Sequence, residues 1–448
     1  MNKLKLRLQS LTPVQLIVSY YFLAVTVSVL LLSLPMAHKP GVEFAFIDRL
    51  FTAVSAVSVT GLTVMSTADT FSVPGIFILA FVLQFGGIGI MTLGTFVWLI
   101  MGKKIGLKER QLIMTDQNQV SLSGIVNLIR QIIVLILLIE FLGGLILGTY
   151  FLKYYPTWQE AYLQGFFTSI SATTNGGFDI TGQSMVLFAH DYFVQFIVII
   201  LIILGAIGFP VLIEVKDFLF SKNKRYRFTL FSKLTTITFF ALIFVGTIAI
   251  ACLEYSYFFK GKEWHEIFFY SLFQSTATRS AGLATMDVSL FTETTLLILC
   301  ALMFIGASPS SVGGGIRTTT FALNLLFLFH FARGNKSIKI FKRELHTEDL
   351  NKSVVVTMMA FLICFSAVVI LTRTESFPFI TILFEVCSAF GTTGLSMGIT
   401  PELSTIGKII IMILMFIGRI GILTFLYLLG TKEKKDNFHY PKERVIIG

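Results

Sequence analysis

Apolar and polar positions along the chain follow one repeating order: a long apolar stretch, a shorter one, a polar interruption rich in glycine and hydroxyls, and a second long apolar stretch. The order occurs four times. First stretches run roughly over 14–36, 124–152, 230–256 and 352–372, and second ones over 74–101, 192–219, 290–332 and 404–430. Each reaches the roughly 20 residues that a helix needs to cross about 30 Å of hydrocarbon. The short stretches, about 45–57, 159–173, 264–277 and 379–390, are too brief to cross and predict re-entrant half-helices. The pattern therefore predicts an all-α membrane protein with eight transmembrane helices and four re-entrant half-helices in four pseudosymmetric repeats. Their spans are approximately 12–105, 120–222, 228–335 and 350–432, within one membrane domain that ends in a tail at 433–448.

Each polar interruption fits [ST]-A-x-x-x-x-G-[LF]. The copies run from Ser55-Ala56 to Gly61-Leu62, Ser171-Ala172 to Gly177-Phe178, Thr276-Ala277 to Gly282-Leu283 and Ser388-Ala389 to Gly394-Leu395. Their glycines lie 116, 105 and 112 residues apart, which marks one unit used four times. Close helix packing is the blander reading of such small residues, but packing alone does not place every motif after a half-length segment.

Composition agrees with the bilayer. Of 448 residues, 55% are apolar and 13% charged, with a mean hydropathy of +0.81, outside the range of soluble domains. The first apolar run lacks a clear cleavage site and is expected to be a first span, not a removed signal. A net charge of +10 could suggest nucleic acid, yet 24 of the 35 Lys and Arg fall in five clusters that flank apolar spans: Lys3 to Arg7, Lys103 to Arg110, Lys216 to Lys233, Arg333 to Lys352 and Lys432 to Arg444. The positive-inside rule puts all five in the cytoplasm with both termini, so no nucleic-acid partner is expected, and anionic lipid is one natural contact. Cys252, Cys300, Cys364 and Cys387 stand singly, the six histidines are dispersed, and no H-E-x-x-H, G-x-S-x-G, Walker A or G-x-G-x-x-G pattern occurs. No enzymatic, nucleotide or cofactor site is expected.

Non-helical backbone at membrane depth is tolerated where it is buried in protein or lines a watery cavity. Four such segments around one axis predict a ring of carbonyl oxygens that replaces the hydration shell of a cation. The expected ring residues are Ser58, Val59, Thr60 and Gly61; Thr174, Asn175, Gly176 and Gly177; Arg279, Ser280, Ala281 and Gly282; and Gly391, Thr392, Thr393 and Gly394. The half-helices end at the motif, so their partly negative ends also favour a cation.

Downstream, Gly86-Gly87-Ile88-Gly89, Gly205-Ala206-Ile207-Gly208 and Gly418-Arg419-Ile420-Gly421 share G-x-I-G, where small residues widen a pathway or let helices bend. The third repeat instead reads "GASPSSVGGGIRTTT". Proline and a triple glycine break a helix there. A gate is expected at Gly306, Ala307, Ser308, Pro309, Ser310, Ser311, Val312, Gly313, Gly314, Gly315 and Arg317, with the three serine hydroxyls presented to the pathway; a packing kink or a loop outside the bundle is the alternative. Arg419 sits in the x position of the fourth G-x-I-G, either repelling cations or holding the loop by hydrogen bonds. Arg279 is expected to point away from the ring and pair with a carboxylate, Glu385 being one candidate.

These residues resemble the Trk/Ktr/HKT superfamily of potassium transporters, built from four M1-P-M2 units. "PELSTIGKIIIMILMFIGRIG" in the last repeat and the glycine-rich break in the third bring it nearest the ion-translocating membrane subunit of bacterial Ktr systems. The resemblance covers nearly the whole chain. It implies that Gly61, Gly177, Gly282 and Gly394 form a potassium selectivity filter, that Gly306 to Arg317 is the intramembrane gate, and that Arg419 adjoins it. It further implies potassium uptake at the plasma membrane, sodium as an activator, a homodimer, and a cytoplasmic ring of RCK subunits that carry the nucleotide, touching the basic loops near Lys103 to Arg110 and Arg333 to Lys352. Gly176 departs from the pattern and adds flexibility. A coupled carrier and a membrane enzyme are the rival classes; the first usually uses inverted repeats and midplane ionisable sites, and the second needs a nucleophile and base or a metal cluster.

Overall fold

The computed structural model describes residues 12–42, 45–89, 124–220, 227–335 and 337–429, with isolated positions at 110, 114, 441 and 443. The segment 90–101, most of the tail 433–448, and most of the basic clusters at 3–7, 103–110 and 432–444 lie outside the described residues.

Every repeat contributes a long helix, a half-helix and a second helix. The long helices are α1 (Pro13–Leu32), α4 (Ile125–Phe151), α8 (Leu230–Glu254) and α12 (Thr347–Thr374), and the half-helices are α2 (Phe46–Ser58), α5 (Trp158–Thr173), α9 (Trp264–Ala277) and α13 (Phe379–Phe390). The second helices begin as α3 (Val73–Ile88), α6 (Tyr192–Ala206), α10 (Glu293–Ile305) and α14 (Thr405–Ile420). Among the described residues they continue in three repeats as α7 (Phe209–Phe220), α11 (Thr318–Ala332) and α15 (Ile422–Leu429).

An oxygen-bearing side chain starts each second helix. Ser72, Asp191, Thr292 and Ser404 accept from the amides of Gly75, Val194, Thr295 and Gly407, satisfying a donor that the first helical turn cannot pair internally. The long helices bury only 33–44% of their most apolar windows, so they form the outer wall. Phe22, Phe141, Phe244 and Phe361 face outward from it, as suits a hydrocarbon solvent. Half-helices are the converse: in two of them the C-terminal stretches, Phe51 to Ser58 and Phe384 to Phe390, are buried throughout.

The repeats close in a circle. Each second helix packs against the half-helix of the following repeat: α3 on α5, α6 on α9, α10 on α13, and α14 back on α2.

The second helices are not continuous: the third is interrupted where the sequence predicts a break, and two others bend far more sharply than the expected flexibility of G-x-I-G. In the second repeat α6 and α7 meet at 105°, in the fourth α14 and α15 at 102°, and in the third a loop from 306 to 317 separates α10 from α11. The cause is conformational. Gly89, Gly208 and Gly421 hold φ of 92°, 103° and 83°, and helical backbone cannot continue through a left-handed residue. Four described helices are individually long and apolar enough to cross a membrane, and six spans result if each bent pair is one.

Candidate functional site

The four motifs end their half-helices in one way. In three repeats the residue two before the motif glycine is left-handed, and the next amide reaches back five residues: Thr60 to the Ser55 carbonyl at 2.9 Å, Gly176 to Ser171 at 2.7 Å and Thr393 to Ser388 at 2.8 Å. This is a Schellman closure, in which a glycine usually takes the left-handed place. Here Val59, Asn175 and Thr392 take it at φ 55°, 53° and 46°, and Ser280 matches them at 68° in the third repeat. Side chains at positive φ are costly, and β-branched ones most of all. The motif glycine is again left-handed, at 90°, 68°, 68° and 89° for Gly61, Gly177, Gly282 and Gly394, whereas the residue between is not. Alternating the sign of φ turns successive carbonyls to one side of the strand, which uniform backbone cannot do.

The leading hydroxyl of the motif has a visible task. Ser55 and Ser388 accept from the amides of Gly61 and Gly394 at 3.2 and 3.1 Å, and Ser171 donates to the Phe178 carbonyl at 2.5 Å. Thr276 instead bonds back to Leu272 within its own helix.

The glycines stand together around one centre. A methyl added to Gly61 would meet the Gly176 carbonyl oxygen at 2.7 Å, one on Gly177 the Ala281 oxygen at 3.1 Å, one on Gly282 the Thr393 oxygen at 2.5 Å, and one on Gly394 the Thr60 oxygen at 2.1 Å. Each glycine thus abuts the carbonyl that precedes the next glycine, and the fourth returns to the first. No carboxylate lies in the four ring segments, and no group of His, Cys, Asp or Glu able to hold a metal occurs among the described residues. The ring offers main-chain oxygen.

Side chains tie two of the seams. Asn175 donates to the Arg279 carbonyl at 3.2 Å, and Ser280 to the Gly391 carbonyl at 2.8 Å. Sequence reasoning missed these bonds, which join residues 104 and 111 positions apart.

Beneath the ring, the first and last glycines of G-x-I-G do different jobs. A methyl on Gly205 would lie 2.1 Å from the Thr173 carbonyl oxygen, and one on Gly418 2.0 Å from that of Phe390, so the first glycine lets the second helix touch the end of its own half-helix. The last is the left-handed breaker described above.

The loop from Gly306 to Arg317 is buried except at Pro309 and Arg317, which are half-buried, so it is not a loop on the outside of the bundle. It bonds to the second repeat through Ser308 N to the Ala206 carbonyl at 3.0 Å and Phe209 N to the Ser310 carbonyl at 2.8 Å. Its own limbs join through Ala307 N to the Gly314 carbonyl at 3.1 Å, while Arg317 donates to the Gly313 carbonyl. Ser308 accepts from Thr318 and Ser311 donates to the Ser308 carbonyl, so these two hydroxyls serve the loop itself. Gly313 and Gly314 pass against Ser280 and Thr392 of the ring, where a methyl would come within 2.6 and 2.5 Å. Arg419 clasps the arrangement from the fourth repeat, donating to the carbonyls of Val312 in the loop and Gly86 in the first repeat.

Arg279 requires a correction. It is fully buried and turned away from the ring, but its guanidinium donates to the Leu302 carbonyl at 2.7 Å, the Gly306 carbonyl at 3.2 Å and the Thr278 hydroxyl at 3.1 Å, not to Glu385. Glu385 accepts from Thr400 instead. The C-terminal end of α10 exposes carbonyls that a cation can serve, so a helix end replaces the carboxylate.

Comparison with known proteins agrees with this architecture. The TrkH model, described as a cation transport protein, matches residues 4–440. Ktr system potassium uptake protein D of Bacillus subtilis (strain 168) is 73% identical over 441 residues, covering 98% of each chain, and Ktr system potassium uptake protein B of the same organism is 37% identical over 443 residues, covering 98% of this chain and 97% of that one. The crystal structure of the potassium transporter TrkH from Vibrio parahaemolyticus superposes with a TM-score of 0.69 at 19% identity, covering 87% of this chain and 79% of the other, which speaks for the fold. A matched length of nearly the whole chain, four repeats closed on a glycine ring, and the shared fold lead to one conclusion: the chain belongs to the TrkH family of cation transport proteins.

Proposed function

We infer that this protein is the pore-forming subunit of a Ktr-type potassium uptake system in the plasma membrane. Potassium sheds water as it enters the ring, and the carbonyls of Ser58 to Thr60, Thr174 to Gly176, Arg279 to Ala281 and Gly391 to Thr393 replace its hydration shell. The closure of four glycines on one another through the carbonyls of Thr60, Gly176, Ala281 and Thr393 is the observation that carries this reading. The loop Gly306 to Arg317 is the gate, with Arg419 as its latch. Potassium is the cargo that the names of the two Ktr relatives support.

Eight crossings with four re-entrant half-helices, both termini in the cytoplasm, complete the topology; the basic clusters support that orientation. Two such subunits form a homodimer on a cytoplasmic RCK-type ring, which holds the regulatory nucleotide, and sodium stimulates uptake. Membrane lipids bound at the basic loops complete the environment.

The test is potassium uptake in a cell that lacks its own uptake systems. Wild type restores growth at low potassium, and Gly394→Ser, which puts a side chain against the Thr60 carbonyl, lowers preference for potassium over sodium. Equal preference in both proteins rules the ring out as the selective element.

A further inference from the structure

Ser280 occupies the left-handed position of the third ring segment and is fully buried. Its hydroxyl has one proton to give and lone pairs to receive with. It donates to the Gly391 carbonyl of the fourth segment at 2.8 Å and accepts from the Gly314 amide of the loop at 3.3 Å. The equivalent residues do otherwise: the Val59 side chain has no polar atom, and Asn175 bonds to the ring at Arg279. Of these four side chains, that of Ser280 bonds to ring and loop together.

We propose that Ser280 is a positioning residue that couples ion occupancy of the ring to the position of the loop. The inference rests on the ring and gate reading above. With the loop in place, the Gly314 N–H occupies a lone pair of the Ser280 oxygen, and the hydroxyl proton is aimed at Gly391. Withdrawal of the loop frees the hydroxyl to rotate, and the Gly391 carbonyl loses its fixed donor. The neighbouring Arg279 holds the start of the loop through the Gly306 carbonyl and the end of α10 through the Leu302 carbonyl, so residues 279 and 280 contact the loop at its start and at Gly314. Linkage then runs both ways: if the loop changes how the ring binds potassium, potassium changes the loop equilibrium by the same factor.

Hydrogen–deuterium exchange across 306–317 of the full-length protein in detergent, in potassium and in N-methylglucamine, reads this directly. Potassium slows loop exchange in wild type by about three- to tenfold, the range one net hydrogen bond supplies. Ser280→Ala, which deletes only the hydroxyl, abolishes that response, as does Ser280→Gly, which removes the whole side chain but suits φ 68°. Thr276→Val, which removes a buried hydroxyl that bonds only to Leu272 within the half-helix leading to Ser280, leaves the loop bond alone and retains the response. A potassium response preserved in both Ser280→Ala and Ser280→Gly overturns the proposal, and so does an equal loss in Thr276→Val. Calorimetric titration of wild type with potassium separates the two levels: absence of binding there refutes the ring reading itself, and the coupling with it.

Discussion

The ring makes a graded prediction for single Gly→Ala substitutions. All four glycines are left-handed, so each alanine bears a conformational cost of about 1–2 kcal/mol. They differ in what the methyl meets. At Gly394 it lies 2.1 Å from the Thr60 oxygen, at Gly282 2.5 Å from Thr393, at Gly61 2.7 Å from Gly176 and at Gly177 3.1 Å from Ala281. Ordinary contact begins near 3.4 Å, so the Thr60 carbonyl must retreat by about 1 Å, whereas the Ala281 carbonyl moves by a few tenths, and overpacking of the first kind costs about 1–3 kcal/mol. If selectivity depends on where those oxygens sit, Gly394→Ala loses about tenfold or more of its preference for potassium over sodium, equivalent to about 1.4 kcal/mol, and Gly177→Ala stays within about threefold of wild type. Gly282→Ala and Gly61→Ala fall between, in that order. Rubidium uptake into proteoliposomes with sodium as competitor measures the series, with thermal unfolding of each variant to match stability. Gly177→Ala as damaged as Gly394→Ala, in equally stable proteins, refutes the reasoning.

Three further outcomes are expected. Arg419→Gln loosens the clasp on Val312 and Gly86 and raises flux by up to about ten- to a hundredfold, equivalent to about 1.5–3 kcal/mol, the most that a charged hydrogen bond contributes, read as initial uptake rate; an unchanged rate removes the latch. Gly418→Ala, with a carbonyl 2.0 Å from the new methyl, lowers the unfolding temperature clearly more than Gly421→Ala, which meets nothing within 4 Å and bears only the strain of φ 83°. In a double-mutant cycle, Arg279→Gln and Glu385→Gln add to within about 0.5 kcal/mol, since the two side chains share no partner; a larger coupling would restore the ion pair that the sequence suggested.

Much of this was legible because the membrane limits the options. Short helices over 264–277 and 379–390 stand where the sequence placed them, because polar, glycine-rich breaks bound each apolar run. The long helices differ by a few residues at their ends for the same reason. Bending at G-x-I-G and the break in the third repeat were legible, but the size of the bend was not; that the last glycine of G-x-I-G is left-handed, turning the chain by more than 100° in two repeats, depends on backbone angles that composition does not reveal. Cross-repeat bonds such as Ser280 to Gly391 were beyond reach, because a single chain carries no signal that pairs residues so far apart. Arg279 misled through a sound rule applied to the wrong acceptor: buried cations need partners, and the carbonyls of Leu302 and Gly306 supply them without a carboxylate.

Anomalous scattering from thallium, a potassium mimic, in crystals of the protein tests the central claim most directly. The account predicts peaks on the axis enclosed by the carbonyls of Thr60, Gly176, Ala281 and Thr393, diminishing as potassium is added back. Thallium bound elsewhere in the bundle, with none at the ring under saturating conditions, would contradict it.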